Sequence, residues 1–299
     1  MGIDIETARF MLARRRQGAS FARSACLGRQ HFFLGHTETR GLLREFGLDP
    51  AASPELFSKT YPDFADEFWK LLGAKEMTIF DASDFEGATR VHDMNQPIAE
   101  ELKQAFDVVC DIGTLEHVFN FPVAVRNCME MTKVGGHCFC VSPANNAFGH
   151  GFYQFSPELY FRVFSPENGF QIERCVAVEY GARTRWYEVI DPKTAGARVT
   201  LINAATVTLL VWARRIRAVP LFQNSPQQSD YSATWARSAA ADQKMETPAR
   251  PTALQRLQRA VLESMPSFAR TLDRLRYSRF NRNFSLANRR SFAPISKWD

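Results

Sequence analysis

The hydrophobic pattern changes period repeatedly along the chain, and those changes mark its elements. Residues 3–16 read as a helix ending in Arg14, Arg15 and Arg16, where cations suit the carboxyl end. The segment SACLGRQHFFL is short, apolar and β-leaning around Gly28, and it predicts a first strand over Ser24 to Leu27. Residues 36–60 form a polar insert with one helix near Glu38 to Phe46, and Asp63 to Leu72 reads as a helix stopped near Gly73. EMTIFDAS then predicts a strand ending at Asp81, and TRVHDMNQP a short strand ending near Asp93, stopped by Pro97.

The pattern is cleaner farther on. FDVVCDIG predicts an apolar strand ending near Asp111, PVAVRNCMEMTKVGG a helix with a glycine terminator, and HCFCVSPANN the next strand. SPELYFRVFSPENGF supplies a helix capped by Ser156, with Pro157 at its first position. QIERCVAVEY and TVTLLVWARR are two further strands, separated by a loop at 181–201.

Strands alternating with helices argue for a doubly wound α/β domain, its mostly parallel sheet covered by helices on both faces. The last two strands leave no room for a full crossover helix and are compatible with an antiparallel hairpin at the sheet edge. The expected organisation is an N-terminal helix in 1–23, the α/β domain over 24–217 and a linker over 218–250. A helical, basic and aromatic extension over 251–299 completes it.

Composition supports a normal core: 45% of the 299 residues are hydrophobic and 23% charged, which argues against wholesale disorder. The six cysteines fall mostly in predicted core segments, where free thiols behave as small hydrophobes, and this usage suits a reducing compartment. The N-terminus lacks the apolar core of a signal peptide and the serine or threonine of a myristoylation site, and no window reaches a membrane-spanning length. The expectation is a cytoplasmic protein without a transmembrane segment.

Ligands of open α/β sheets bind beyond the carboxyl ends of the strands, where the strand order reverses. Asp81 ends a strand and is placed to accept from a ribose diol, or else only to turn the chain with Ser83 and Asp84. Asp93 either receives an adenine amino group or makes an ordinary Asx-turn before Asn95. Glu116 and His117 follow the strand at 106–111; His117 serves as a general base, stacks on a flat ring, or caps the next helix. Asn145, Asn146, His150, Tyr153 and Gln154 crowd one glycine-flanked loop, which suits substrate recognition or plain loop packing. No Cys-x-x-Cys or His-x-x-x-His metal pattern, phosphate loop or nucleophile elbow is present, so no metal is expected.

FDVVCDIGTLEHVFNFPVAVRNCMEMTKVGG followed by HCFCVSPANN resembles the second half of class I S-adenosylmethionine-dependent methyltransferases, particularly bacterial ones found among cell-envelope and polysaccharide genes. The likeness covers roughly residues 70–180. It implies that Asp81 holds the cofactor ribose, that Asp93 lies by the adenine, and that Ile112, Gly113 and Leu115 line the cofactor pocket. Glu116 and His117 would face the cofactor or the reacting methyl group. The loop 144–154, with Asn145, Asn146, Tyr153 and Gln154, would lie on the substrate side. The family's first strand leads into an acidic-Gly-x-Gly-x-Gly loop; here CLGRQHFFLG offers Gly28 alone near the strand end, with Arg29 and Gln30 where bulk obstructs close approach.

The function this implies is methyl transfer from S-adenosylmethionine to an oxygen or nitrogen of a small or saccharide-like acceptor, with His117 or His150 removing the proton. The alternative is an inactive or repurposed methyltransferase fold. The final 30 residues hold seven arginines and one lysine against two aspartates, interleaved with aromatics. They admit an anionic partner for the tail, or else aromatics that pack back onto the domain while the arginines face solvent; nothing else in the chain resembles a nucleic-acid reader.

Overall fold

The computed structural model describes residues 2–57, 63–232, 234, 235, 252, 253, 264, 271 and 281–296. Strand β1 (Gly2–Ile3) and helix α1 (Ile5–Arg16) open the chain, followed by β2 (Arg23–Leu27), β3 (His31–Phe32) and α2 (His36–Glu45). Next come β4 (Asp63–Phe64), α3 (Asp66–Leu72), β5 (Glu76–Asp81), β6 (Arg90–Val91) and β7 (Phe106–Ile112). After α4 (Phe121–Met131), β8 (Thr132–Asn145) and α5 (Pro157–Val163) lie β9 (Phe170–Glu179), β10 (Arg185–Val189), α6 (Pro192–Ala195), β11 (Val207–Arg215) and β12 (Phe292–Ile295).

The residues group into two compact units, one of 1–188, 205–225 and 294–299, the other of 189–204 and 226–293. The sheet of the first unit runs β10-β9-β11-β8-β7-β2-β5-β6. The strands β6, β5, β2, β7 and β8 are parallel, whereas β11 is antiparallel to both β8 and β9. With β10 set aside, the sheet's strands in chain order lie as 3-2-1-4-5-7-6, the topology of class I methyltransferases. Strand β7 is buried at all seven positions, as a central strand covered on both faces must be.

The last two long strands pair antiparallel as expected, but they do not form the sheet edge. β11 inserts between β8 and β9, and the 181–201 loop contains the missed strand β10. Hydrophobicity explains the placement: VTLLVWARR buries seven of its nine residues, too apolar for an exposed edge. The helix predicted through Gly136 stops at Met131, because Lys133 to Gly136 belong to β8. The Arg215 guanidinium donates through Nη1 to the carbonyls of Met129, Glu130 and Thr132, at 3.1, 3.2 and 2.6 Å, and so terminates α4.

Helix α1 is capped by the Asp4 side chain, which accepts from the Thr7 amide at 2.8 Å. Its Phe10 stacks on Phe139 of β8 at 5.2 Å between centroids, fixing the helix against the sheet. All six cysteines are buried and none is in a disulfide, as the sequence pattern anticipates.

In the second unit, Asp191 caps α6 by accepting from the Lys193 amide, and the Ile202 amide donates to the Phe284 carbonyl. Most of the predicted C-terminal helices over 251–280, and with them much of the arginine-rich tail, lie outside the described residues. Among the described residues, no helix is long and apolar enough to cross a membrane.

Candidate functional site

The strand order reverses between β2 and β7, so the crevice for a ligand opens at the carboxyl ends of those two strands. Here that crevice is bridged by the chain itself. The Thr114 hydroxyl donates to the Leu27 carbonyl at 2.8 Å, and the Gln30 side-chain amide donates to the same carbonyl at 3.0 Å. Gly28 is buried with φ of +70°, and its amide donates to Phe80.

Arg29 fills the neighbouring space. Its guanidinium pairs with Asp66 at 2.6 Å, donates to the Glu86 carbonyl at 3.1 Å and lies 4.0 Å over the Phe64 ring. A β-carbon added to Gly87 would stand 3.0 Å from Arg29 Nη1, so the guanidinium packs closely on the loop after β5. The methionine part of S-adenosylmethionine needs open glycine backbone at this strand end. At this strand end Gly28 is followed by Arg29 and Gln30, whose side chains are engaged by Asp66, by the Glu86 carbonyl and by the Leu27 carbonyl. Asp81 stays at the strand end, its Oδ1 accepting from the Ser83 amide at 3.3 Å. Asp93 takes the Asx-turn: Oδ1 accepts from the Asn95 backbone and side chain at 2.9 and 2.7 Å, and these bonds lower its pKa.

A different opening lies along the same edge. A cavity of about 550 Å³ lies beyond β7 and β8, lined by Ile112, Gly113, Glu116, His117, Ser142, Asn146 and His150 together with Asp4, Thr7, Tyr180, Thr206 and Thr208. Neither Gly28, Asp81 nor Asp93 lines it. Glu116 dominates its chemistry. Only 1% of its side chain is exposed, Oε1 lies 3.3 Å from His150 Nε2, and the buried Oε2 has no hydrogen-bond partner among the described residues. Burial raises the Glu116 pKa, against the opposing pull of a backbone amide and of the His117 and His150 rings. The His117 and His150 rings stand edge to face, 5.1 Å between centroids.

The local chain holds these groups in place. Asp111, next to last in β7, is buried and accepts from the Thr114 and Leu115 amides at 3.0 Å each, which sets the turn that carries Glu116. Burial, reinforced by Glu116, raises the Asp111 pKa well above the usual carboxylate range. The Phe152 and Tyr153 amides both donate to the Glu116 carbonyl, tying the His150 loop to that turn.

The predicted loop residues take unequal parts. Asn146, at φ of +58°, lines the cavity and donates from its side chain to the Ala205 carbonyl at 2.7 Å. The Tyr153 hydroxyl donates to the Phe119 carbonyl, and Gln154 Oε1 accepts from the Ala147 amide. Asn145 sits at the end of β8, in register with Val207. Leu115 is fully buried in the turn behind Glu116. Sequence reasoning missed the opposite wall, where the Tyr180 hydroxyl donates to Asp4 Oδ2 at 2.7 Å. The signal for it was weak: Asp4 reads as a helix cap, and Tyr180 as the polar end of a strand.

No family model and no curated protein matches the chain. Solved structures similar to it include a branched-chain polyamine synthase from Thermus thermophilus, at 14% identity over 75% of this chain and 59% of that one, with a TM-score of 0.38. The trans-methyltransferase CalH in complex with SAH is 12% identical over 70% of this chain and 55% of that one, TM-score 0.37. A putative methyltransferase from Bacillus halodurans is 14% identical over 69% of this chain and 99% of that one, TM-score 0.37. The chain thus spans little more than half the length of the first two. Likeness this loose leaves the fold to be read from the strand order itself.

Proposed function

We propose that this methyltransferase-fold chain holds a small hydroxyl-bearing molecule in the cavity beyond β7 and β8, and exchanges a proton with it through Glu116 and the neighbouring histidines. The observation that carries the reading is Glu116: a carboxyl group 1% exposed, with one unpartnered oxygen and a histidine nitrogen 3.3 Å from the other. A carboxyl whose pKa burial has raised stays closer to neutral pH, where a proton carrier works best. Ser142, Thr206, Thr208 and Tyr180 give the walls the hydroxyl groups that suit a saccharide-like ligand.

The test is a nuclear magnetic resonance titration of the histidine imidazoles with neutral and acidic monosaccharides. Shifts in His117 and His150, without shifts in His36 or His92, are expected. Silence of both cavity histidines up to tens of millimolar ligand would reject the reading.

Methyl transfer is the second reading, favoured by the strand order and by Ile112 and Gly113 lining the cavity. S-adenosylmethionine would supply an already activated methyl group. Calorimetry with S-adenosylmethionine separates the two readings, because a repurposed crevice gives no heat at millimolar ligand.

A further inference from the structure

We infer that Glu116, His117 and His150 form a site for one divalent transition-metal ion of the zinc class, open to the cavity. The inference rests on the same cavity as the proposed function, but in the ion-loaded state these three side chains are ligands and not proton carriers. One ligand atom from each residue lies within 4.8 Å of the others, although the residues come from two separate loops. Glu116 Oε1 and His150 Nε2 are 3.3 Å apart, close to the roughly 3.3–3.4 Å edge of a tetrahedron built on bonds of about 2.0–2.1 Å.

An independent observation points the same way. Among the described residues Glu116 Oε2 is buried without a partner, and a carboxylate out of water must either take up a proton or be compensated by a cation. The two histidines are exposed and supply that compensation only when protonated, whereas a bound dication supplies it with both rings neutral. Donor chemistry selects the ion: two imidazoles and one carboxylate suit zinc, cobalt or nickel, while calcium and magnesium require oxygen donors. Three protein ligands leave a position for water or a bound molecule, as at open metal sites.

The loop geometry supports the arrangement. The Phe152 amide donates to the Glu116 carbonyl at 2.7 Å, so the backbone beside His150 is fixed to the residue that carries the carboxylate. The sequence shows none of this, because His117 and His150 are 33 positions apart and no short motif links them.

The full chain is stripped with chelator and titrated with zinc by calorimetry, and in parallel with cobalt by visible absorption. One equivalent is expected, with the intense visible bands of tetrahedral cobalt. His150→Ala, His117→Ala and Glu116→Gln should each weaken zinc at least about tenfold, while His92→Ala, far along the chain, should leave affinity unchanged. His150 is 56% exposed, so its variant keeps the test sound if Glu116→Gln fails to fold. Absence of binding, or binding indifferent to His117 and His150, overturns the site. Monosaccharide shifts in metal-free protein that binds no zinc would remove the metal alone. Zinc binding with no response to monosaccharides would remove the proposed ligand alone.

Discussion

Thr114 Oγ1 donates to the Leu27 carbonyl at 2.8 Å, joining the carboxyl ends of β7 and β2 across the reversal of strand order. Related folds bind nucleotides in that crevice, and here Thr114 and Gln30 both donate to the Leu27 carbonyl at its edge while Arg29 donates to the Glu86 carbonyl. We expect no calorimetric heat from S-adenosylmethionine at millimolar concentration, and no change on Asp81→Ala. Saturable heat that Asp81→Ala abolishes would restore the ribose role of Asp81 and with it the methyl-transfer reading.

Asp111 makes stability depend on pH in a defined direction. Its carboxyl titrates well above its ordinary value because it is buried, with Glu116 adding to the effect. The unfolded chain releases this proton near pH 4, and the folded chain keeps it to higher pH. Over that window the folded state binds more protons, so the stability contribution is full below about pH 4 and is lost as pH rises through the folded pKa. Asp111→Asn keeps one oxygen for the Thr114 and Leu115 amides but cannot titrate. Urea denaturation should show wild type losing stability relative to Asp111→Asn as pH rises from 4 to 8, on the order of 1 kcal/mol or more. Parallel stability curves would contradict the assignment.

The fold was legible where burial imposes a pattern. FDVVCDI is apolar throughout because β7 is covered on both faces, and EMTIFD ends at Asp81 where β5 does. β10 escaped notice because RWYEV alternates exposed and buried positions between polar loops. β11 was recognised as a strand but misplaced, since hydrophobicity reports burial and not the neighbour that provides it. The site divides similarly. Glu116, His117, His150 and Asn146 follow strand ends, and the structure brings all four to one cavity. Asp4, Thr7 and Tyr180 reach it from distant segments, a juxtaposition that only the packing of α1 against the sheet creates.

Arg215 offers a test of how the sheet's inserted strand holds α4. Its guanidinium is almost fully buried, and three carbonyls at the end of α4 accept from one nitrogen. Burial lowers its pKa without removing its charge. Arg215→Met keeps the stem's packing but leaves those carbonyls without the charged donor, at a cost of roughly 2–4 kcal/mol. The midpoint of urea unfolding should fall accordingly, and a midpoint unchanged from wild type would show that water replaces the guanidinium.

Gly151 controls how closely the His150 loop approaches Glu116. Its φ is +69°, and an added β-carbon would meet the Glu116 carbonyl oxygen at 2.7 Å and Glu116 Cγ at 3.1 Å. Alanine there is strained by its backbone angle as well as by the contact, roughly 1–3 kcal/mol together. The strain relaxes most easily by lifting residues 150–153 away, which lengthens the Phe152 and Tyr153 bonds to Glu116 and separates His150 from the carboxylate. Gly151→Ala should therefore lower the unfolding midpoint and weaken zinc binding together. Gly149→Ala, with nothing within 4 Å of the added carbon and no positive φ, should do neither. Equal zinc affinity in wild type and Gly151→Ala, despite a lowered midpoint, would show that the glycine serves only the turn.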